Sequence, residues 1–298
     1  MFGIYFGKYL QNKGIITPAQ YDEIILENKT ARVKMGLLAI EAGLMTVDQA
    51  DEVNQLQTVM DRRFGDIAVE KGYISNSQVE QLLKKQGDSY LLFVQSLTER
   101  DILSLEEIQK ELNAYKKSER FTALDLDAIK SSDIDKIVPV FTKDPSLSPL
   151  VKDYIALTAR NLVRFIDSHV RMEKVERVNE YTGHYISSQE LEGEFKLFTG
   201  FSGDGTGIKM VAEAYAGELF DRIDEDVLDA ACEFLNCNNG LYATKLSQED
   251  IELDMLPPMM YDKTTTIHSE GSMFRIPFYV SGKSLDMIIC VESKWMIS

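Results

Sequence analysis

Four residues of the chain are of types and at a spacing that could do chemistry together. They are Asp229, Glu233, Asn236 and Gly240, in the run Asp229-Ala-Ala-Cys-Glu-Phe-Leu-Asn-Cys-Asn-Asn-Gly240. At about 100° per residue they fall in one helical stripe roughly 60° wide. Leu228, Ala231 and Leu235 lie on the far side, so one face is apolar. The other presents an acid, an amide that both donates and accepts without being a base, and a bare glycine. The missing side chain at Gly240 would let another backbone or side chain approach closely. Asp224-Glu-Asp226 precedes the stripe and provides the acids that favour a helix N-terminus.

Other candidates for chemistry are weaker. Ser202-Gly-Asp-Gly-Thr-Gly207 has the look of a phosphate cradle, but Ile208-Lys209 breaks the Walker spacing, so it reads as a strand-to-helix turn. Cys232 and Cys237 are five apart on one helix and do not share a face, which argues against a metal site. His169, His184 and His268 are isolated in sequence. No Gly-x-Ser-x-Gly or Cys/His hydrolase signature is present.

Composition bounds the function further. Acidic residues outnumber basic ones 48 to 32 over 298 residues, for a net charge of -16. Such a surface repels phosphate backbones and anionic lipid, so neither nucleic acid nor a membrane is an expected partner. Three cysteines without a framework point to a reducing compartment. With no membrane span and no basic signal start, the expected location is cytoplasmic.

The elements that must position the stripe divide the chain. Thr17, Thr46, Ser75 and Ser104 stand 29 residues apart. Gly14, Gly43, Gly72 and Asp101 keep the same register, as do Gly7, Gly36 and Gly65, with Phe93-Val94 at the matching place in the fourth unit. Each Ser or Thr is followed three residues later by Gln or Glu, the capping-box pattern, and the Gly/Asp column fits a helix C′ position. Residues 1–117 therefore read as an all-α domain of four helical repeats. Residues 118–149, with Pro145 and Pro149 at the end, read as a linker with partial order, in which Asp133-Ile-Asp-Lys-Ile-Val is expected as a helical turn packed on one domain.

Residues 150–298 read as a helix from Leu150 to about Arg171 and strands near 175–181, 185–191 and 195–201. Helices follow near 207–219 and 224–243, then strands near 251–255, 265–268, 274–280 and 285–291. Gly282-Lys283 is expected as a two-residue hairpin turn of type II′. The fold class is α+β: an all-α repeat domain, then an antiparallel sheet with helices packed on one face.

The Asp-x-x-x-Glu-x-x-Asn spacing, with Gly240 after it and a downstream Pro258 one residue nearer than usual, resembles the signature of the CheC/CheX chemotaxis phosphatases. The element order of residues 150–298 is similar to that of CheX. Asp153, Leu157 and Arg160 stand where the CheC branch has a second motif and lack its Glu and Asn, which implies a single site. The resemblance implies hydrolysis of the aspartyl phosphate of a CheY-like response regulator. Glu233 and Asn236 would be the catalytic pair: Asn236 orients the attacking water and Glu233 pairs with the regulator's lysine. Asp229 and Gly240 would support docking. It also implies that Mg²⁺ is held by the regulator, with no cofactor on this chain, and that the chain forms a homodimer through the C-terminal sheet.

The repeats, clearest in Arg63-Phe-Gly-Asp-Ile-Ala-Val-Glu-Lys-Gly-Tyr-Ile-Ser75, resemble the N-terminal domains of type II secretion and pilus-assembly ATPases. Some of those bind cyclic-di-GMP through an arginine column, which here reads Tyr5, Lys34, Arg63 and Leu92. Two rival functions follow, a non-catalytic adaptor that binds a response regulator and a cyclic-di-GMP-sensing module.

Overall fold

Each Ser or Thr of the 29-residue columns opens a helix. Thr17 Oγ1 accepts from the Gln20 amide at 3.2 Å while Gln20 Oε1 accepts from the Thr17 amide at 2.9 Å. The same reciprocal bonds join Thr46 with Gln49, Ser75 with Gln78 and Ser104 with Glu107. Gly14, Gly43, Gly72 and Asp101 all have positive φ, between 51° and 74°, the backbone that ends a helix in a tight turn.

The computed structural model describes residues 1–28, 30–60 and 62–298. It parts into two units, Met1–Ser132 and Asp133–Ser298. The first is built from α1 (Phe2–Asn12), α2 (Pro18–Glu27), α3 (Met35–Glu41), α4 (Val47–Met60), α5 (Phe64–Glu70), α6 (Asn76–Leu83), α7 (Ser89–Glu99), α8 (Leu105–Ser118) and α9 (Ala123–Ser131). Its centre is aromatic: Phe2, Phe6 and Phe93 are fully buried, and Phe2 meets Tyr90 edge-on at 4.9 Å between ring centroids. Gly7 is bare for a packing reason, since a Cβ there would lie 2.7 Å from the Tyr21 ring and 2.9 Å from Phe93.

Residues 118–149, expected as a linker, carry two helices. Thr122 and Asp125 form a further capping box at the start of α9, which buries Leu126 and Ile129 in the first unit. In the second unit α10 (Ile134–Phe141) buries Ile137, Val138, Val140 and Phe141 and packs on α11 (Pro149–Asn161). The divide therefore falls between Ser132 and Asp133, inside the expected linker. Enough apolar side chains are present on both sides of it to order the chain.

The long helix expected to reach Arg171 ends earlier, α11 being extended by one π turn at Leu162–Ile166. Asp167 then accepts from the His169 amide at 2.9 Å and from the Ser281 hydroxyl, turning the chain into β1 (Val170–Met172). There follow β2 (Glu176–Gly183), β3 (Tyr185–Gly193), β4 (Leu197–Gly203), α12 (Thr206–Ala216), α13 (Glu225–Ser247), β5 (Leu253–Met255), β6 (Met259–Tyr261), β7 (Thr265–Val280), β8 (Lys283–Val291) and β9 (Trp295–Ile297). The two strands expected at 265–268 and 274–280 are one continuous strand, β7.

These strands form one antiparallel sheet in the order β1-β7-β8-β4-β3-β5, with β2 and β9 also paired to β7 and β6 to β3. Val280 pairs with Lys283, so the β7–β8 loop is Ser281-Gly282. Both residues have positive φ, 48° and 79°, which makes the turn type I′ rather than the expected II′. Helices α12 and α13 cover one face of the sheet. On the other, Ile186, Phe198, Ile267, Met273, Ile288 and Cys290 form a second core closed by Trp295 and Ile297. The architecture is α+β, helices first and a curled antiparallel sheet after them.

Candidate functional site

Helix α13 holds the four-residue stripe on its outer side. Leu228, Ala231, Phe234 and Leu235 are at most 1% exposed and face the sheet, Phe234 stacking on Phe201 of β4 at 5.8 Å. Asp229 and Glu233 are exposed, whereas Asn236 and Gly240 are half-buried. Beside the second half of the stripe lie Met255, at the end of β5, and Leu256, whose carbonyl shares the Gln189 amide with Asn236. A Cβ at Gly240 would stand 3.6 Å from Met255 Cε. That is ordinary van der Waals contact, so the glycine leaves a shallow step in the surface.

The rim beside the stripe is apolar and open. Met255, Leu256, Pro257, Pro258 and Met259 are all exposed, and Leu241, one position after Gly240, is 44% exposed. Pro258, the downstream proline of the sequence pattern, thus lies in the connection that also carries Leu256 to the site.

Asn236 is tied inward as well as facing out. Its Oδ1 accepts from Gln189 Nε2 at 2.8 Å, and the same Nε2 donates to the Leu256 carbonyl at 2.9 Å. Gln189 Oε1 in turn accepts from Asn239 Nδ2 at 2.8 Å, and Asn239 Oδ1 accepts from the Tyr154 hydroxyl at 2.6 Å. Thr199 closes the group by accepting from Asn239 Nδ2 at 3.0 Å. Gln189, Asn239, Thr199 and Tyr154 are at most 2% exposed, and burial pushes the Tyr154 phenol up to about 12. Low dielectric makes each bond of such a chain count, because an unmet partner has no water to turn to. Sequence periodicity did not single out Gln189 or Asn239; the only signal was a polar side chain inside each of two otherwise buried elements.

The remaining candidates lie apart or are closed. Burial pushes the Cys232 thiol up to about 11, and its Sγ donates to the Met259 carbonyl at 3.8 Å. Cys237 is half-buried beside Tyr215 of α12, whose phenol is raised by burial and by its hydrogen bond to Cys237. Among the described residues no three His, Cys, Asp or Glu side chains converge as a metal site. The glycine loop 202–207 is a strand-to-helix turn: Asp204 Oδ1 accepts from the Thr206 amide at 2.9 Å, and a Cβ at Gly207 would overlap the Ser284 carbonyl at 2.0 Å. His169 pairs with Asp167 and His268 with Glu180, neither at the stripe. In the first unit the arginine-type column is half core. Tyr5 and Leu92 are buried, while Lys34 and Arg63 are N-cap residues of α3 and α5, Lys34 pairing with Glu99 at 2.6 Å.

An antiparallel sheet backed by a helix with one outward acid–amide stripe places the second unit in the α+β class, with a single candidate site. Residues 185–280, from the start of β3 to the end of β7, match the family described as chemotaxis phosphatase CheX. Solved structures similar to this chain include the chemotaxis protein CheX of Desulfovibrio desulfuricans, at 17% identity and TM-score 0.43, over 49% of this chain and 100% of that one. A CheC-like superfamily protein of a Shewanella species is 21% identical at TM-score 0.43, over 49% of this chain and 99% of that one. The CheX–CheY–BeF3–Mg²⁺ complex of Borrelia burgdorferi is 18% identical at TM-score 0.39, over 48% of this chain and 97% of that one. No curated protein matches the chain. Among the described residues no helix is long and apolar enough to cross a membrane.

Proposed function

We propose that the second unit is a phosphatase for the aspartyl phosphate of a CheY-like response regulator. The observation that carries this reading is Asn236, a half-buried amide with its carbonyl anchored, standing one turn beyond an exposed Glu233 on a helix face rimmed by open apolar residues. The match of residues 185–280 to the CheX family supports it.

The chemistry asked of the site is small. An acyl phosphate has a good leaving group, so the bond from water oxygen to phosphorus forms as the bond to the aspartyl carboxylate breaks, without a strong acid on this chain. Catalysis is then mainly the placement of one water in line. The Asn236 Nδ2 donates to that water, and the second lone pair of Oδ1 accepts from it. Glu233 would meet the regulator's active-site lysine and set the register. Asp229 would lie further along the same interface, and the step at Gly240 would admit the partner's backbone. Met255, Leu256, Pro257, Pro258, Met259 and Leu241 supply the apolar area that docking needs. Mg²⁺ belongs to the regulator in this scheme, and this chain holds the carboxylate and the amide only.

The direct experiment is loss of ³²P from a panel of phosphorylated response regulators of the same cell, with and without the full chain. Accelerated loss from one of them is the expected result. Stable binding of a regulator without acceleration would make the protein an adaptor instead.

A further inference from the structure

The polar chain behind Asn236 determines which way that amide points, and the determination does not depend on how its atoms are assigned. Leu256 contributes a backbone carbonyl, which can only accept. Gln189 must therefore turn its Nε2 toward it, at 2.9 Å. The same Nε2 lies 2.8 Å from the Asn236 side chain, so the atom of Asn236 facing it must be Oδ1. The Nδ2 group is thereby aimed outward. At the other end of Gln189, Oε1 accepts from Asn239 Nδ2, and Asn239 is held in its own orientation by the Tyr154 hydroxyl and Thr199. Gln189, Asn239, Tyr154 and Thr199 are all buried, so no water competes for the bonds that hold Gln189 from behind.

We infer that Gln189 is a positioning residue for the phosphatase reaction, fixing the Asn236 amide with its donor group toward the attacking water. This rests on the reading given under Proposed function and extends it to a residue on another element, β3. Asn236 alone has a broad, nearly two-fold torsion about its amide. Without Gln189 its Nδ2 and Oδ1 would exchange places, and water placement would suffer while docking through Glu233 and the apolar rim would not.

The test uses the full chain and the regulator identified by the phosphate-loss panel. Gln189→Met keeps side-chain volume and removes both polar ends. Turnover is expected to fall on the order of tenfold, with affinity for the beryllofluoride-complexed regulator and its binding stoichiometry within twofold of the unmodified protein. In a double-variant cycle, adding Gln189→Met to Asn236→Ala is expected to slow turnover no further, because both changes act through one amide. A merely structural role would instead multiply the two losses and lower the binding stoichiometry. Full turnover in Gln189→Met, or multiplied losses in the double variant, overturns the inference while leaving the phosphatase reading intact. Full turnover in Asn236→Ala removes the water-positioning mechanism itself, and the role of Gln189 with it.

Should Gln189→Met not fold, two further measurements decide. Gln189→Glu preserves shape and the acceptor toward Asn239 but replaces the donor, and the same loss of turnover is expected. In the unmodified protein, the Gln189 side-chain amide protons should exchange with water far more slowly than those of Asn236. Fast exchange at Gln189 overturns the proposal without any substitution.

Discussion

Asn236 and Glu233 sit three residues apart on α13 and differ in what holds them. Glu233 is exposed, so Glu233→Ala should leave stability within about 0.5 kcal/mol of the parent. Its effect should fall on regulator affinity, since a partly desolvated pair across the interface would be lost. Asn236 carries an inward bond, and its replacement by Ala should cost about 0.5–1.5 kcal/mol in a denaturant titration. Gln189 Nε2 keeps the Leu256 carbonyl in that variant, which limits the loss. The stripe itself was legible from the 3.6-residue period alone. The half-burial of Asn236 was not, because the side chain it bonds, Gln189, stands on a distant strand. Gln189 and Asn239 were equally hidden: which strand residue faces which helix residue is decided by tertiary pairing.

The cysteines give a second residue-scale prediction. Burial raises Cys232 to about 11 and Cys290 to about 12, whereas Cys237 is half-buried. Native protein at pH 8 should therefore react at one thiol with a disulfide reagent, and at three after denaturation. The sign of the stability effect follows from the same shifts. An unfolded thiol ionises near pH 9 and the folded Cys232 and Cys290 do not, so stability declines as pH rises from about 9 towards 11. Rapid native reaction of all three thiols would contradict the burial of α13 against β6.

At the scale of elements, two glycines inside helices play opposite parts. Gly7 in α1 faces two rings at under 3 Å from a would-be Cβ, while Gly240 in α13 has ordinary contact distance to a flexible methionine. Gly7→Ala should destabilise by about 1–3 kcal/mol through overpacking. Gly240→Ala should stabilise by up to about 1 kcal/mol, because a helix interior favours Ala. Melting curves of the two variants shifting in the same direction would contradict this packing. The capping boxes were readable because Ser/Thr and Gln/Glu at fixed offset carry the whole device in four residues. Helix α9 was missed for a different reason, and α10 was expected only as a helical turn over 133–138. A short run of acids between apolar clusters reads as linker until its apolar side chains are seen to be buried.

At the scale of the molecule, the division into a helical unit and a sheet unit was visible in the change of period along the chain. The divide at Ser132/Asp133 was not, since no proline or glycine run marks it. A homodimer through the C-terminal sheet is what the resemblance to CheX implies. The path of the sheet ends in the three-residue strands β1 and β5, and β2 beside β7 carries Glu176, Arg177 and Glu180. Short and charged edges oppose strand addition. Light scattering at micromolar concentration decides between them: the mass of two chains would support the homodimer, and the mass of one would remove it.

The central claim is that Asn236 places a water for attack on a regulator's aspartyl phosphate, and it is tested most directly by one comparison. Phosphate release from the cognate phosphorylated regulator is followed with the full chain and with Asn236→Ala, alongside equilibrium binding of the beryllofluoride-complexed regulator to each. The account predicts binding nearly unchanged and hydrolysis slowed by on the order of a hundredfold. Full turnover by Asn236→Ala, or a loss of binding equal to the loss of rate, would contradict it.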